Sequence, residues 1–174
     1  EGGAVLKGFF PLVAKPVAVI GVAEKTYVDV KLTCSGDGGH SSTPDNPTPL
    51  ARVARAIDRL ERSRRPVRLT APIVAMLKTL ALHSPVALAW VLYHPRLFAC
   101  VLAKILDKQN TTRALIHDTA AATMAQGSDA SNVIGSTASA IVNFRLLPGS
   151  TEQALKTWID RTIADPQVQA SVMK

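Results

Sequence analysis

One histidine, His40, stands in a glycine-rich bend that reads GDGGHSSTP over residues 36–44. Glycine adopts backbone conformations that other residues avoid, so we expect Gly38 and Gly39 to let the main chain approach a ligand or another subunit closely. A strand pattern precedes the bend and a helix pattern follows it, and loops held on such a scaffold commonly carry function. The bend therefore makes His40 the first candidate for a catalytic group.

Two further polar side chains are candidates for substrate binding. Asn132 ends the polar connection 126–132, and Arg145 belongs to the strand pattern over 137–147. In a strand, Arg145 points away from its neighbour Phe144 and lies on the face that the predicted helices leave uncovered. The planar guanidinium suits a carboxylate, and a solvated arginine is the alternative interpretation.

The other reactive residue types form no recognisable site. The sequence has no HExxH pair, no cysteine–histidine cluster and no phosphate loop, and its two cysteines, Cys34 and Cys100, give no disulfide framework. Cys34 is predicted to lie in the core. His83, His94 and His117 lack a metal-type partner at useful spacing, so we assign them structural roles.

Several segments supply the elements that would position the candidates. Alternating side chains over 27–35 predict a half-buried strand, and Pro49 lies in the first turn of a helix that Pro66 ends. The apolar face of that helix is predicted to comprise Leu50, Val53, Ala54, Ile57 and Leu60. Strand patterns over 115–125 and 137–147, a helix opened by Thr151 and a final strand over 168–173 complete the set.

This order predicts the α+β class and a ferredoxin-like βαββαβ sandwich, in which a four-stranded antiparallel sheet carries both helices on one face. The 174 residues suffice for one core, and the formal net charge is +7. Much of the excess charge lies in an arginine-rich stretch from Arg52 to Arg68. On a helix these arginines form a solvated face with few aromatic residues nearby, so no nucleic-acid partner is expected.

Residues 67–106 are strongly apolar and are interrupted by prolines. We interpret 67–114 as an inserted helical segment whose helices bury each other's faces. A wall for a substrate or a subunit contact is a second interpretation. Membrane association is a third, but the longest apolar stretch, 84–93, is shorter than the ~20 residues that span a bilayer, so no membrane partner is expected.

Three groups of motifs together resemble one family of zinc metallopeptidases. They are GVAEK at 21–25 with the GDGGHSSTP bend, GSDASNVI at 127–134, and VNFRLLPG at 142–149. In order and spacing they are similar to the family that includes aminoacylase, glutamate carboxypeptidase and Gly-Xaa carboxypeptidase. The likeness is strongest to the Gly-Xaa carboxypeptidase branch, through the GGHSS bend and the opening EGG. One departure is Gly135, where the family usually has proline, and this predicts a looser loop around Asn132.

The resemblance implies a two-domain enzyme, of which this chain is a piece. Residues 1–22 would be a strip of the catalytic domain with the hinge near 21–25, and residues 23–174 would be the lid, which forms a homodimer. His40 would reach the partner's active site and polarise the scissile carbonyl, while Asn132 and Arg145 would contact the substrate, chiefly its carboxylate. Glu1 would be a metal ligand in the full-length parent.

The implied reaction is hydrolysis of an amide bond in peptides or N-acyl amino acids with a free carboxylate. Two Zn²⁺ ions would lower the pKa of a bridging water in the parent. The piece lacks most of the ligands, so we predict that it is inactive alone and binds no metal. The alternative is a stand-alone ferredoxin-like module that binds a ligand or a protein without catalysis.

Overall fold

The computed structural model describes residues 3–8, 10 and 15–173, and the chain divides into two structural units. The sheet unit comprises residues 26–64 and 119–174, and the helical unit comprises residues 1–25 and 65–118. In chain order the elements are β1 (Gly3–Leu6), β2 (Val17–Ile20), β3 (Thr26–Ser35), β4 (Gly39–His40), α1 (Pro49–Arg62), α2 (Ala71–Ala81), α3 (Val86–Tyr93), α4 (Ala99–Leu106), α5 (Asn110–Ile116), β5 (Thr119–Gln126), β6 (Val133–Ile134), β7 (Thr137–Leu146), α6 (Glu152–Ile163) and β8 (Val168–Val172).

The sheet unit has the predicted ferredoxin-like architecture. Its antiparallel sheet has the strand order β5-β7-β3-β8, and α1 and α6 contact its strands. Alternate residues of the two central strands, from Val28 to Cys34 and from Ala138 to Leu146, are buried in one apolar cluster with residues of both helices. Both helices therefore cover one face, which confirms the predicted sandwich and the core position of Cys34.

The first helix confirms its predicted start but differs in its apolar face and its end. Thr48 caps it by accepting a hydrogen bond from the amide of Ala51, and the helix stops at Arg62, before Pro66. Leu50 and Ala54 were expected in the core, but both are exposed. Val53 and Leu60 are buried as predicted, and Pro49 and Ala56 complete the buried stripe.

In its described residues, the helical unit has four helices and the β1–β2 hairpin. Helical residues such as Leu77, Leu92, Leu102 and Ile116 are fully buried in a second apolar cluster. The expected strand start at residue 115 is wrong, because α5 continues to Ile116, whose burial among the other helices favours helical geometry. No helix among the described residues combines the length and apolar character needed to cross a bilayer.

A polar network joins residues at the ends of the two chain segments, 1–25 and 65–118, that form the helical unit. The ring nitrogens of His117 lie 2.7 Å from the carbonyl oxygen of Arg65 and 3.1 Å from a carboxylate oxygen of Asp107. Arg65 forms an ion pair with Asp118 at 2.8 Å, and Lys25 donates to the carbonyl of His117. Burial lowers the pKa of Lys25, and the Asp118 carboxylate opposes that shift. The structural role assigned to His117 agrees with these bonds, whereas Arg65 is not the solvated side chain expected.

Candidate functional site

The bend that carries His40 is held by main-chain hydrogen bonds. His40 in β4 pairs with Val133 in β6, in a two-stranded ribbon beyond the end of the central strands. The amide of Ser41 donates to the carbonyl of Asn132 at 3.1 Å, and that of Gly36 donates to the carbonyl of Ser136 at 2.8 Å. Because backbone groups make these bonds, the ribbon joins the His40 loop to the Asn132 loop whatever side chains they carry.

Two glycines allow this close approach. Gly38 has φ of 71°, and a side chain there would meet the carbonyl oxygen of Ile134 at 3.0 Å. Gly38 thus lies close to the main chain of the Asn132 loop. At Gly135 an added Cβ would lie 2.3 Å from the carbonyl oxygen of Gly127, which is inside van der Waals contact. The close backbone contact therefore accounts for glycine at 135 and differs from the looser loop predicted there.

The imidazole of His40 is exposed and has one ring nitrogen engaged. The amide of Ser42 donates to Nδ1 at 3.2 Å, and the Ser42 hydroxyl lies 2.8 Å from the same nitrogen. A backbone N–H is a donor only, so in the neutral ring Nδ1 is the acceptor and Nε2 carries the proton. The bend thus presents an imidazole N–H donor on an exposed loop.

The structure brings Asn132 to His40 but keeps Arg145 apart from both. Ser35 pairs with Thr137 at the end of the sheet next to the ribbon, and Tyr27 pairs with Arg145 eight positions further along. Eight residues of strand span roughly 26 Å. His40 and Asn132 therefore occupy one end of the sheet, which we call the turn end, and Arg145 occupies the other, which we call the arginine end.

At the arginine end, four side chains interact across β3 and β7. The guanidinium of Arg145 lies over the ring of Tyr27, 4.6 Å from its centroid. The Tyr27 hydroxyl donates to Oδ2 of Asp29 at 2.5 Å, and the amide of Asn143 donates to Oδ1 at 2.8 Å. Arg145 is exposed, whereas its neighbour Phe144 is buried beneath the helices. Arg145 thus lies on the uncovered face of the sheet, as its alternation predicted.

The hydrogen bonds to Asp29 shift two pKa values. The Tyr27 hydroxyl, then the Asn143 amide and the positive charge of Arg145, lower the pKa of Asp29. The same Tyr27–Asp29 bond is the main reason that the pKa of Tyr27 is raised. Asp29 is therefore held as a carboxylate and Tyr27 as a phenol over a wide range of pH.

The described residues do not form a metal site. Within residues 3–8, 10 and 15–173, no group of three or more histidine, cysteine, aspartate or glutamate side chains is arranged to hold an ion. Glu1, the predicted metal ligand of the parent, lies outside these residues.

Sequence reasoning missed Ser42, Tyr27, Asp29 and Asn143. Tyr27 and Asp29 are two apart in one strand, and Asn143 and Arg145 are two apart in another, so alternation alone assigns each pair to one face. The strand register decides whether these two pairs of side chains lie next to each other on the same face, because a slip of one residue sends a strand's side chains to the other face of the sheet. The sequence thus contains the alternation within each strand, but it does not give the register between the two strands.

Comparisons with known proteins agree with this architecture. A family profile described as "Peptidase dimerisation domain" matches residues 22–171. The human N-fatty-acyl-amino acid synthase/hydrolase PM20D1 is 34% identical over 174 residues, covering 99% of this chain and 35% of that protein. "Probable carboxypeptidase S-like 2" of Dictyostelium discoideum is 30% identical over 172 residues, covering 96% of this chain and 32% of that protein. The chain thus spans about a third of the length of these relatives.

Solved structures share the fold at low sequence identity. The metallo-carboxypeptidase Sso-CP2 from Sulfolobus solfataricus matches with a TM-score of 0.52 and 18% identity, covering 84% of this chain and 42% of that one. The di-peptidase Dug1p from Saccharomyces cerevisiae matches with a TM-score of 0.53 and 12% identity, covering 88% and 38%. At these identities the likeness concerns the fold alone.

Proposed function

We propose, since this chain belongs to the peptidase dimerisation domain family, that it is the lid and dimer-forming domain of a larger metal-dependent amidohydrolase. The parent enzyme cleaves the amide bond of peptides or N-acyl amino acids that carry a free carboxylate. The relatives named N-fatty-acyl-amino acid synthase/hydrolase support an N-acyl amino acid as substrate. In this proposal the catalytic domain of the parent binds the two zinc ions and supplies the metal chemistry.

The observation that carries the proposal is the separation of the two ends of the sheet. His40 and Asn132 share the turn end, and Arg145 lies roughly 26 Å of strand away. In an N-acyl amino acid only the α-carbon separates the amide nitrogen from the carboxylate, so these two groups of one substrate cannot reach both ends of one sheet. In a dimer with two-fold symmetry, each active site can take the turn end from one subunit and the arginine end from the other.

The geometry of His40 suits a donor to the scissile carbonyl. Hydrolysis of an amide develops negative charge on the carbonyl oxygen, and a donor aimed at that oxygen stabilises the transition state. With Nδ1 accepting from Ser42, the Nε2–H is the group available for this bond. Because the side chain is exposed on a short ribbon, it can reach beyond its own subunit.

Arg145 suits the carboxylate of the substrate. Its guanidinium is exposed and lies over the ring of Tyr27, and its N–H groups form a fork that fits two carboxylate oxygens. Binding there fixes the position of the acid end of the substrate, while His40 of the other subunit acts at the amide bond.

Substitution of His40 tests this function in the full-length enzyme. We expect His40→Ala to lower kcat by about 100-fold or more, the scale for losing one oxyanion donor. The thermal unfolding midpoint should stay unchanged, because the side chain is exposed. Turnover equal to that of the wild type would remove His40 from the reaction and contradict the proposal.

A further inference from the structure

We propose that Tyr27 and Asp29 are positioning residues that keep the guanidinium of Arg145 available to the substrate carboxylate. The inference rests on the proposed function of Arg145 and adds which neighbouring groups position its guanidinium. The ring of Tyr27 supports the guanidinium, and the hydroxyl of Tyr27 occupies the carboxylate that would otherwise compete for it.

The support for the guanidinium is a cation–π contact. At 4.6 Å from the ring centroid, the guanidinium of Arg145 is within cation–π distance of Tyr27. Tyr27 and Arg145 are directly paired across β3 and β7, so the contact follows from the strand register. A cation–π contact uses no oxygen acceptor, so the fork of N–H donors remains available to a planar anion.

The competitor is Asp29, on the same face of β3. It is two residues from Tyr27 and pairs with Asn143, which makes it a diagonal neighbour of Arg145. Diagonal neighbours on a sheet are within reach of long side chains, so an aspartate and an arginine in these positions can form an ion pair. Such a pair would neutralise the group that must hold the substrate.

Each carboxylate oxygen of Asp29 already accepts one hydrogen bond. Tyr27 donates to Oδ2 and Asn143 donates to Oδ1, at 2.5 and 2.8 Å. Of the ion pairs found among the described residues, none involves Arg145. The oxygens of Asp29 accept hydrogen bonds from Tyr27 and Asn143 in place of the guanidinium of Arg145.

The test uses the full-length enzyme with Arg145→Ala, Tyr27→Phe and the double variant Tyr27→Phe/Asp29→Asn. The substrates are an N-acyl amino acid and its C-terminal amide. Tyr27→Phe keeps the ring and releases Oδ2 of Asp29, so we expect KM for the free acid to rise about two- to fivefold, the worth of a surface ion pair. The value of kcat and the kinetics of the amide should not change.

Rescue by the second substitution distinguishes competition from simple damage. In Tyr27→Phe/Asp29→Asn the competing charge is gone, so KM for the free acid should return to the wild-type value. If Tyr27→Phe has a wild-type KM, or if Asp29→Asn fails to restore it, the inference is overturned. If Arg145→Ala itself affects acid and amide equally, the proposed function of Arg145 fails instead, and the two failures are thereby separated.

Discussion

The two ends of the sheet hold their functional groups in different ways. At the turn end, main-chain hydrogen bonds and glycines fix the ribbon that carries His40 and adjoins Asn132. At the arginine end, side chains fix Arg145, through the ring of Tyr27 and the hydrogen bonds of Asp29. The turn end should therefore be sensitive to changes in backbone shape, and the arginine end to changes in charge and hydrogen bonding.

The largest effect on binding is expected at the arginine end. Arg145→Ala removes hydrogen bonds to a charged group, worth about 1.5–3 kcal/mol, so KM for free-acid substrates should rise tenfold or more. The amide of the same substrate should be affected less. Arg145→Lys is the matched control, since it keeps the charge but loses the fork and should give an intermediate KM. Equal losses for acid and amide would indicate a structural arginine.

A backbone change at the turn end should reduce both stability and turnover. Gly135→Ala places a methyl group within 2.3 Å of the carbonyl oxygen of Gly127, and the loop must shift to accept it. We expect a loss of about 1–3 kcal/mol in the free energy of unfolding, the usual cost of overpacking, measured by denaturant titration. Exposed Ser136→Ala, next in sequence, should stay within about 0.5 kcal/mol. If the two variants are equally stable, the ribbon is not fixed by this contact.

The smallest effect concerns pH and the hydrogen bonds of Asp29. Because its native pKa lies below the unfolded value, Asp29 adds stability above about pH 4 that is lost as pH falls through the native pKa. The loss of unfolding free energy between pH 7 and pH 3 should thus be smaller in Asp29→Asn than in the wild type. Exposed Asp129→Asn is the control for net charge. If the unfolding free energy falls equally between pH 7 and pH 3 in the wild type and in Asp29→Asn, the hydrogen bonds do not favour the carboxylate.

The sheet unit could be predicted from local patterns because the sequence pattern of each segment favours the same element that the fold requires there. The alternation over 27–35, the first helical turn at Pro49 and the helix start at Thr151 all lie where the structure has them. The strand expected from residue 115 was wrong because an apolar run reads equally well as strand or buried helix. There the tertiary contacts of Ile116 decide the outcome.

The sequence predicted which residues form the candidate site, but not how these residues are arranged in space. The bend and the alternation identified His40, Asn132 and Arg145 as polar groups at accessible positions, and all three are exposed. Their arrangement depends on the pairing of β3 with β7 over its full length, and on the contact between Gly135 and Gly127. Neither is a local property of the sequence, so the separation of the two ends emerges only with the fold.

Mixed dimers of the full-length enzyme test the central claim most directly. A dimer of one His40→Ala subunit and one Arg145→Ala subunit has one site with both defects and one intact site. At a substrate concentration well below KM, random mixing of the two variants should therefore raise activity to about a quarter of the wild-type value, because half the dimers are mixed and each has one good site. Mixing His40→Ala with Asn132→Ala should restore nothing, since these residues share one end of one subunit. Failure of the first mixture to recover, or recovery of the second, would contradict an active site built from opposite ends of two sheets.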